Sequence, residues 1–461
     1  MNEFILFINR KKYFTSFIII FLLFSIYLLT SEKTFFYWDS GGYWDLGNSF
    51  IVNGEFSLFN YTNNLRGVWF PLILRLPQSI SHALVVDPLI IIRIFSALYI
   101  SLFCAYLIPK LIRKIFPDSN ISTEKMVLFG FFIFFFWRDY FHYPLSDFPA
   151  IILLIWSFYF ILSKKISYIF LSGIVLGIAV SIRPIYIISF FPFVLFLLFE
   201  NKYRPINKKS IFGLYRLLVL FLGFLFISIP QIIVNKHLNN SFSPLVQTQH
   251  SYKDGLYLQQ LKWGISKEKY ETNIGSDYPS VAVNFSSKMG ESISIKENVE
   301  NINSYSEYLR VYFKYPVELT CIYAKHFFNG FDIKQATPYL KNVTNKNYIF
   351  SFMNYSILFL SLLFILFDRR NSFSTIRACL FFLLLLSPII IVIPVVIETR
   401  FFISIYILIY AMLAFRPNYK ELYTLFEKSQ KWSLLYLYFV FLLICFILSS
   451  TTYANIQFLN I

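Results

Sequence analysis

The sequence predicts an all-α polytopic membrane protein, and three observations lead there. Hydrophobic residues make up 57% of the 461 positions and charged residues only 14%, a balance outside that of soluble globular chains. Apolar runs recur at the length a helix needs to cross a hydrocarbon layer about 30 Å thick; because they are continuous rather than alternating, they select helices over the strands of a closed barrel. Lys and Arg collect in short segments that alternate with these runs, as the positive-inside rule requires.

Eleven spans are expected, at about 13–30, 88–109, 126–137, 147–162, 167–182, 185–199, 212–234, 348–367, 376–397, 401–415 and 432–450. The first follows Arg10, Lys11 and Lys12, which places the N-terminus in the cytoplasm. It has no convincing small-residue cleavage site and more spans follow, so it reads as a retained helix rather than a leader. Cytoplasmic turns then carry Lys110, Arg113 and Lys114; Lys164 and Lys165; Lys202, Arg204, Lys208 and Lys209; Arg369 and Arg370; Arg416 and Lys420. Three regions result: 1–234, an N-terminal transmembrane module whose first outer loop carries an acidic motif; 235–346, one large extracytoplasmic loop domain; and 347–461, the C-terminal transmembrane helices. Within the first outer loop, Val68 to Leu84, with Pro71, Arg75 and Pro77, is expected to lie along the interface. Within the large loop, Tyr308, Leu309, Tyr312, Leu319, Ile322 and Tyr323 stand at helical spacing interrupted at Pro316, whereas the earlier portion, rich in Asn, Ser, Lys and Glu, reads as irregular.

The net charge of +16 does not imply nucleic acid, because the basic residues sit chiefly in turns, where they orient the chain. Cys104, Cys379 and Cys445 fall within apolar spans and Cys321 stands alone in a polar region, which supports neither a disulfide framework nor a metal cluster. No internal repeat marks a transporter with two related halves.

The candidate chemistry lies at the outer ends of the spans. Trp38-Asp39-Ser40-Gly41-Gly42-Tyr43-Trp44-Asp45 follows the first span directly and places a carboxylate at the water–lipid boundary, an unfavourable position without a function. Two glycines beside it allow a backbone or substrate to come close. Arg138, Asp139, His142 and Asp147 occupy the turn between spans three and four, Arg183-Pro184 that between five and six, and Glu398-Thr399-Arg400 that between nine and ten. Acids, arginines and a histidine thus reach similar depth on one membrane face. Such a set suits transfer from a lipid-linked phosphate, which needs a base for the acceptor and cations for the leaving group. A carboxylate desolvated at the interface has a raised pKa and can take a hydroxyl proton, while arginine holds phosphate bidentately.

The order of these motifs resembles the GT-C superfamily of integral-membrane glycosyltransferases, and within it the protein mannosyltransferase-like branch that uses dolichyl- or polyprenyl-phosphate sugars. The residues that carry the resemblance are Tyr37 to Trp44, His142-Tyr143-Pro144-Leu145-Ser146-Asp147, Gly177 to Pro184, and Glu398-Thr399-Arg400-Phe401-Phe402. The resemblance implies a GT-C-like bundle with interfacial helices, a polyprenyl-phosphate sugar donor, an extracytoplasmic reaction that inverts the sugar carbon, and Asp39 as catalytic base. It implies substrate binding by Tyr43, Asp139, His142, Asp147, Arg183, Glu398 and Arg400, with Arg400 and Arg183 on the donor phosphate. Many relatives have Asp-Glu where this chain has Asp39-Ser40, a departure that weakens the case for a divalent metal, so no cofactor is expected. The expected partners are the lipid-linked donor, a glycan, lipid or protein acceptor, and the bilayer, in a bacterial cytoplasmic membrane with the site outside.

Two alternatives are set against this reading. An O-antigen-type polymerase or ligase concentrates arginines in its large outer loop, whereas Arg310 is the only arginine in 235–346. A lipid-linked glycan flippase or ion-coupled transporter calls for ionisable residues in mid-span, and here Arg93 and Arg216 lie near span ends.

Overall fold

A computed structural model describes residues 11–163, 165–199, 206–343, 347–367, 375–416 and 431–457. Arg10, Lys164, Lys202, Arg204, Arg369, Arg370 and Lys420, assigned above to cytoplasmic segments, lie outside the described residues. By chain contacts the protein divides into two units, Met1–Ser251 with Arg370–Pro388, and Tyr252–Arg369 with Ile389–Ile461.

The first unit is helical. Its elements are α1 (Lys12–Leu29), α2 (Trp38–Asn48), the short hairpin β1 (Ile51–Val52) and β2 (Glu55–Phe56), α3 (Trp69–Leu84), α4 (Pro88–Ile115), α5 (Thr123–Trp137), α6 (Asp147–Ile161), α7 (Ile166–Ile182), α8 (Phe190–Phe199) and α9 (Ile206–Asn239). Their starts follow ordinary capping chemistry. Asp87 accepts the Leu89 N–H ahead of Pro88, and Ser122 accepts the Lys125 N–H ahead of α5. The expected interfacial stretch is α3, amphipathic despite Pro77 within it and packed on α2. Helices α6, α7 and α9 pack side by side. The α7–α9 contact is close because each helix offers a glycine: a Cβ at Gly173 would stand 2.0 Å from the Leu220 carbonyl oxygen, and one at Gly223 2.2 Å from that of Phe170. Small residues that let backbones approach are the usual means of packing helices where lipid replaces water.

The second unit contains α10 (Leu256–Ser266), β3 (Lys267–Asn273), β4 (Ala282–Ser286), α11 (Lys288–Lys296), α12 (Tyr305–Lys314), α13 (Pro316–Gly330), β5 (Tyr339–Leu340), α14 (Tyr348–Phe367), α16 (Ile403–Phe415) and α17 (Lys431–Tyr453); α15 (Ile376–Val392) runs from the first unit into the second. The helix break expected at Pro316 falls between α12 and α13. The segment expected to be irregular is instead ordered, and the protein is not purely helical. Strands β4, β3 and β5 form a sheet in that order, β3 antiparallel to β4 with Tyr270 opposite Asn284, and parallel to β5 with Thr272 opposite Tyr339. The strand was hidden because Lys-Glu-Lys-Tyr-Glu-Thr-Asn lacks the alternation of a half-buried strand, and its parallel partner is remote in sequence. Tyr278, Val283, Phe285, Leu340, Val343 and Tyr453 form the apolar core beside it.

Each expected span overlaps a helix, although the helix at 376–397 ends at Val392 and 185–199 opens as the 3-10 turn Pro184–Ser189. Five segments are long and apolar enough to cross a membrane: Lys12–Leu29, Pro88–Ile115, Gly213–Asn239, Tyr348–Ile365 and Trp432–Tyr453. Asp147–Ile161, Ile166–Ile182, Pro184–Phe199, Ile376–Val392 and Thr399–Phe415 are shorter apolar helices, consistent with a polytopic membrane protein.

Candidate active site

Asp39 stands in the first turn of α2. Trp38, which begins that helix, has φ of +42°, a left-handed conformation rare for a bulky side chain. The preceding Tyr37 is extended, so the chain turns sharply here, and the Ser40 N–H and Oγ both donate to the Tyr37 carbonyl, at 2.9 and 2.5 Å. Strain of this kind persists where the surrounding structure holds it, commonly at functional sites. Of the two neighbouring glycines, Gly41 is 3.3 Å from the Phe36 carbonyl when given a Cβ, while Gly42 borders open space. The approach anticipated from the sequence is available at Gly42.

The Asp39 carboxylate accepts a hydrogen bond from Arg66 Nη2 at 2.6 Å, and both side chains keep about a third of their surface exposed, 31% and 35%. The same guanidinium lies 5.1 Å from the Tyr43 ring centroid, a cation–π contact. Arg66 sits in a loop of fixed shape. Asn63 Oδ1 accepts the N–H groups of Leu65 and Arg66, each at 2.8 Å, and the Tyr61 hydroxyl donates to the Arg66 carbonyl at 2.7 Å. Tyr61 is itself buried and stacked on Phe50. Gly67 then backs against α7, where a Cβ would stand 1.9 Å from the Ser181 carbonyl oxygen, and the Val68 N–H donates to Gln231 of α9.

From Asp39 the polar contacts continue inward. The buried Tyr43 packs its ring edge-on against Phe70 and donates its hydroxyl to Ser146 Oγ at 3.2 Å. Ser146 also accepts from Arg183 Nε at 3.4 Å, and Arg183 Nη2 donates to the Asp147 carboxylate. Asp147 is the first residue of α6 and its side chain, 1% exposed, is given to this ion pair. Arg183 closes α7 just before the 3-10 turn Pro184–Ser189, so the Arg-Pro turn aims the guanidinium back at α6. Asp39, Tyr43, Asp147 and Arg183, from three separate loops, thus share one network with Arg66 and Ser146.

Asp139 and His142 occupy a second cluster, on the 3-10 turn Arg138–His142. Asp139 accepts from the Tyr27 hydroxyl at 2.5 Å and pairs with Lys33 at 3.0 Å. His142 Nε2 is 3.7 Å from Asp139, yet neither ring nitrogen makes a hydrogen bond among the described residues. Burial lowers the His142 pKa to about 3; Lys33 pushes the same way and Asp139 opposes. The ring is therefore neutral at ordinary pH. Lys33 lies over the Tyr143 ring, which meets Tyr37 edge-on, and this brings the second cluster beside the α2 turn. Glu398 and Arg400 belong to the second unit, where they pair with each other at 2.5 Å ahead of α16. The Tyr270 N–H donates to the Ile397 carbonyl and ties that turn to β3.

Arg66, Lys33, Tyr27 and Ser146 were not singled out from the sequence. Arg66 lies in an Asn-rich stretch without periodicity, and Ser146 stood inside a quoted motif without a role. Asp39, expected to be desolvated, is instead 31% exposed and paired with Arg66.

The model of the family described as dolichyl-phosphate-mannose-protein mannosyltransferase matches residues 71–229. The resemblance read from the motifs is borne out over this third of the chain, from α3 into α9, a stretch that includes Asp139, His142, Asp147 and Arg183. Asp39, Tyr43, Glu398 and Arg400 lie outside it. No curated protein and no solved structure matches.

Proposed function

We propose that this chain, a membrane glycosyltransferase of the GT-C type, is an inverting enzyme that moves a sugar from a polyprenyl-phosphate donor to an extracytoplasmic acceptor: a surface polysaccharide, lipid A or a protein. The family name supplies the precedent for a lipid-phosphate sugar. The observation that carries the proposal is the network joining Asp39 to Arg183 and Asp147 through Arg66, Tyr43 and Ser146.

In this reading the isoprenoid tail stays in the bilayer and the sugar phosphate reaches the α2 turn. Asp39 takes the proton of the acceptor hydroxyl, and its oxygen attacks the anomeric carbon from the side opposite the phosphate. The bond from that carbon to the phosphate oxygen breaks, and polyprenyl phosphate leaves with the electron pair. Arg183 offsets the charge that grows on the phosphate; for Arg400 the same role rests on its motif alone. Tyr43, Asp139, His142, Asp147 and Glu398 shape the surroundings of the sugar, and the site opens on the outer face of a bacterial cytoplasmic membrane.

The test is transfer in membranes from radiolabelled polyprenyl-phosphate sugars, wild type against Asp39→Asn at matched protein level. Loss on the order of a hundredfold or more is expected when a general base is removed. Equal transfer by both would keep the enzyme class and remove Asp39 as base. No transfer from any monophosphate donor, where a control enzyme works, would overturn the reading in favour of a polymerase or ligase.

A further inference from the structure

The Glu398–Arg400 turn owes its place to residues of the large loop. Helix α15 ends at Val392, and residues 393–398 form neither helix nor strand. Carbonyls outside regular structure need partners from elsewhere, and here those partners come from α10, β3 and α13. The Tyr257 hydroxyl of α10 donates to the Ile391 carbonyl at 2.9 Å. Gly264 of the same helix lies so close that a Cβ there would stand 2.2 Å from the Pro394 carbonyl oxygen. The Tyr270 N–H of β3 donates to the Ile397 carbonyl at 2.8 Å. Past the turn, Phe402 is fully buried against α13, where a Cβ at Gly330 would stand 2.4 Å from its ring.

One side chain joins α13, the start of β3 and this segment. His326 is 0% exposed; its Nδ1 lies 2.7 Å from the Ile393 carbonyl oxygen and its Nε2 3.0 Å from that of Lys267. Burial lowers the ring's pKa to about 4, although both carbonyls oppose the shift. The ring is then neutral at ordinary pH and has one N–H to give. The shorter contact puts that hydrogen on Nδ1, which donates to Ile393, the first residue past α15. The bond thus fixes where the segment leaves the helix. Without it the carbonyl would be buried and unserved, a state that folded chains avoid, and the segment would shift towards another donor.

We infer that His326 is a positioning residue for Arg400: by holding the Ile393 carbonyl it fixes the segment that presents the Glu398–Arg400 turn. The large loop thereby serves as the mount of that arginine. The inference rests on the phosphate role given to Arg400 in the proposed reaction, and its test separates the two.

Transfer by the full chain in membranes tests it, with kcat and the KM for the radiolabelled polyprenyl-phosphate sugar measured for His326→Asn, His326→Gln and His326→Leu, each alone and with Arg400→Ala. Asparagine can carry an N–H where the histidine has Nδ1, and glutamine where it has Nε2. His326→Gln and His326→Leu are expected to lower kcat on the order of tenfold to a hundredfold, the scale of a misplaced catalytic group, with KM nearly unchanged. His326→Asn is expected to recover most of the loss. In the Arg400→Ala background the same changes are expected to cost almost nothing more, because a residue that acts through Arg400 then has nothing to position. Should His326→Leu fail to fold, the contrast between Asn and Gln still decides, since both put an amide in the same site. Equal turnover by those two overturns the inference. So does an equal fold-loss with and without Arg400, which would make His326 a support of the fold alone. Loss at Arg400→Ala with full activity in every His326 variant overturns the inference and leaves the reaction standing. Wild-type turnover by Arg400→Ala removes Arg400 from the reaction, and the inference with it.

Discussion

Asp39 and Asp147 each stand beside an arginine, but their surroundings separate what the two pairs do. Asp147 is almost wholly buried, and removing one partner of a buried pair strands the other charge at about 3–5 kcal/mol. An inactive Arg183 variant would therefore report folding and chemistry together. Asp39 and Arg66 remain a third exposed, and ion pairs so open to solvent contribute about 0–1 kcal/mol to stability. Arg66 can be changed with little effect on the fold, which makes it the more informative position. Arg66→Ala is predicted to lower kcat on the order of a hundredfold, the scale of a misplaced catalytic group, with the melting temperature nearly unchanged. Arg66→Lys restores the charge without the planar contact on Tyr43, so partial recovery is expected. Wild-type turnover by Arg66→Ala would reduce the pair to a surface ion pair. Asp39, Asp147 and Arg183 were visible in the sequence because a charge among apolar residues stands out. Arg66 was not, because its loop takes its shape from Asn63 and Tyr61 side chains hydrogen-bonding to backbone, which no periodicity encodes.

The elements divide along the same line. Apolar runs specify helices strongly, since in lipid every backbone group must be satisfied within its own segment, and each expected span overlaps a helix. The sheet of the second unit depends on a strand pairing with residues more than sixty positions away, and nothing local to β3 announces it. How helices pack is legible only in part: Gly173 and Gly223 are single letters in apolar runs, yet each faces a backbone carbonyl of the other helix at close range. Gly173→Ala or Gly223→Ala is predicted to destabilise by about 1–3 kcal/mol, the usual cost of overpacking, read as a lower melting temperature in detergent. The double variant is predicted to cost less than the sum of the two, because both act on one contact between α7 and α9. Strict additivity would show that the two glycines do not share an interface. Transfer activity is expected to fall with either change, since α7 carries both Arg183 and the Ser181 carbonyl against which the Arg66 loop rests.

The whole molecule has a direction, and the proposed reaction depends on it. In the first unit, one end of the helices is basic and aromatic. Lys12 of α1 donates to the Ile121 carbonyl beyond α4, Lys110 lies 5.9 and 5.5 Å from the centroids of the stacked Tyr13 and Tyr106 rings, and Lys114 sits 3.6 Å from the Tyr159 ring centroid at the end of α6. The opposite end of α1 reaches Asp139 through Tyr27 and leads directly to the α2 turn with Asp39. The first end has the lysines and tyrosines expected of a cytoplasmic boundary, and in the proposed orientation the carboxylate cluster faces outside, where a flipped lipid-linked donor would meet it. This orientation is checked by single cysteines in a background without Cys321 and Cys379, exposed to a membrane-impermeant thiol reagent on intact spheroplasts. Glu55→Cys, beside the α2 loop, and Asn301→Cys are predicted to react at once, whereas Asp118→Cys, beyond α4, is predicted to react only after permeabilisation. The reverse pattern would place Asp39 in the cytoplasm beside nucleotide-sugar pools. An external acceptor would then be excluded however much activity Asp39 controlled.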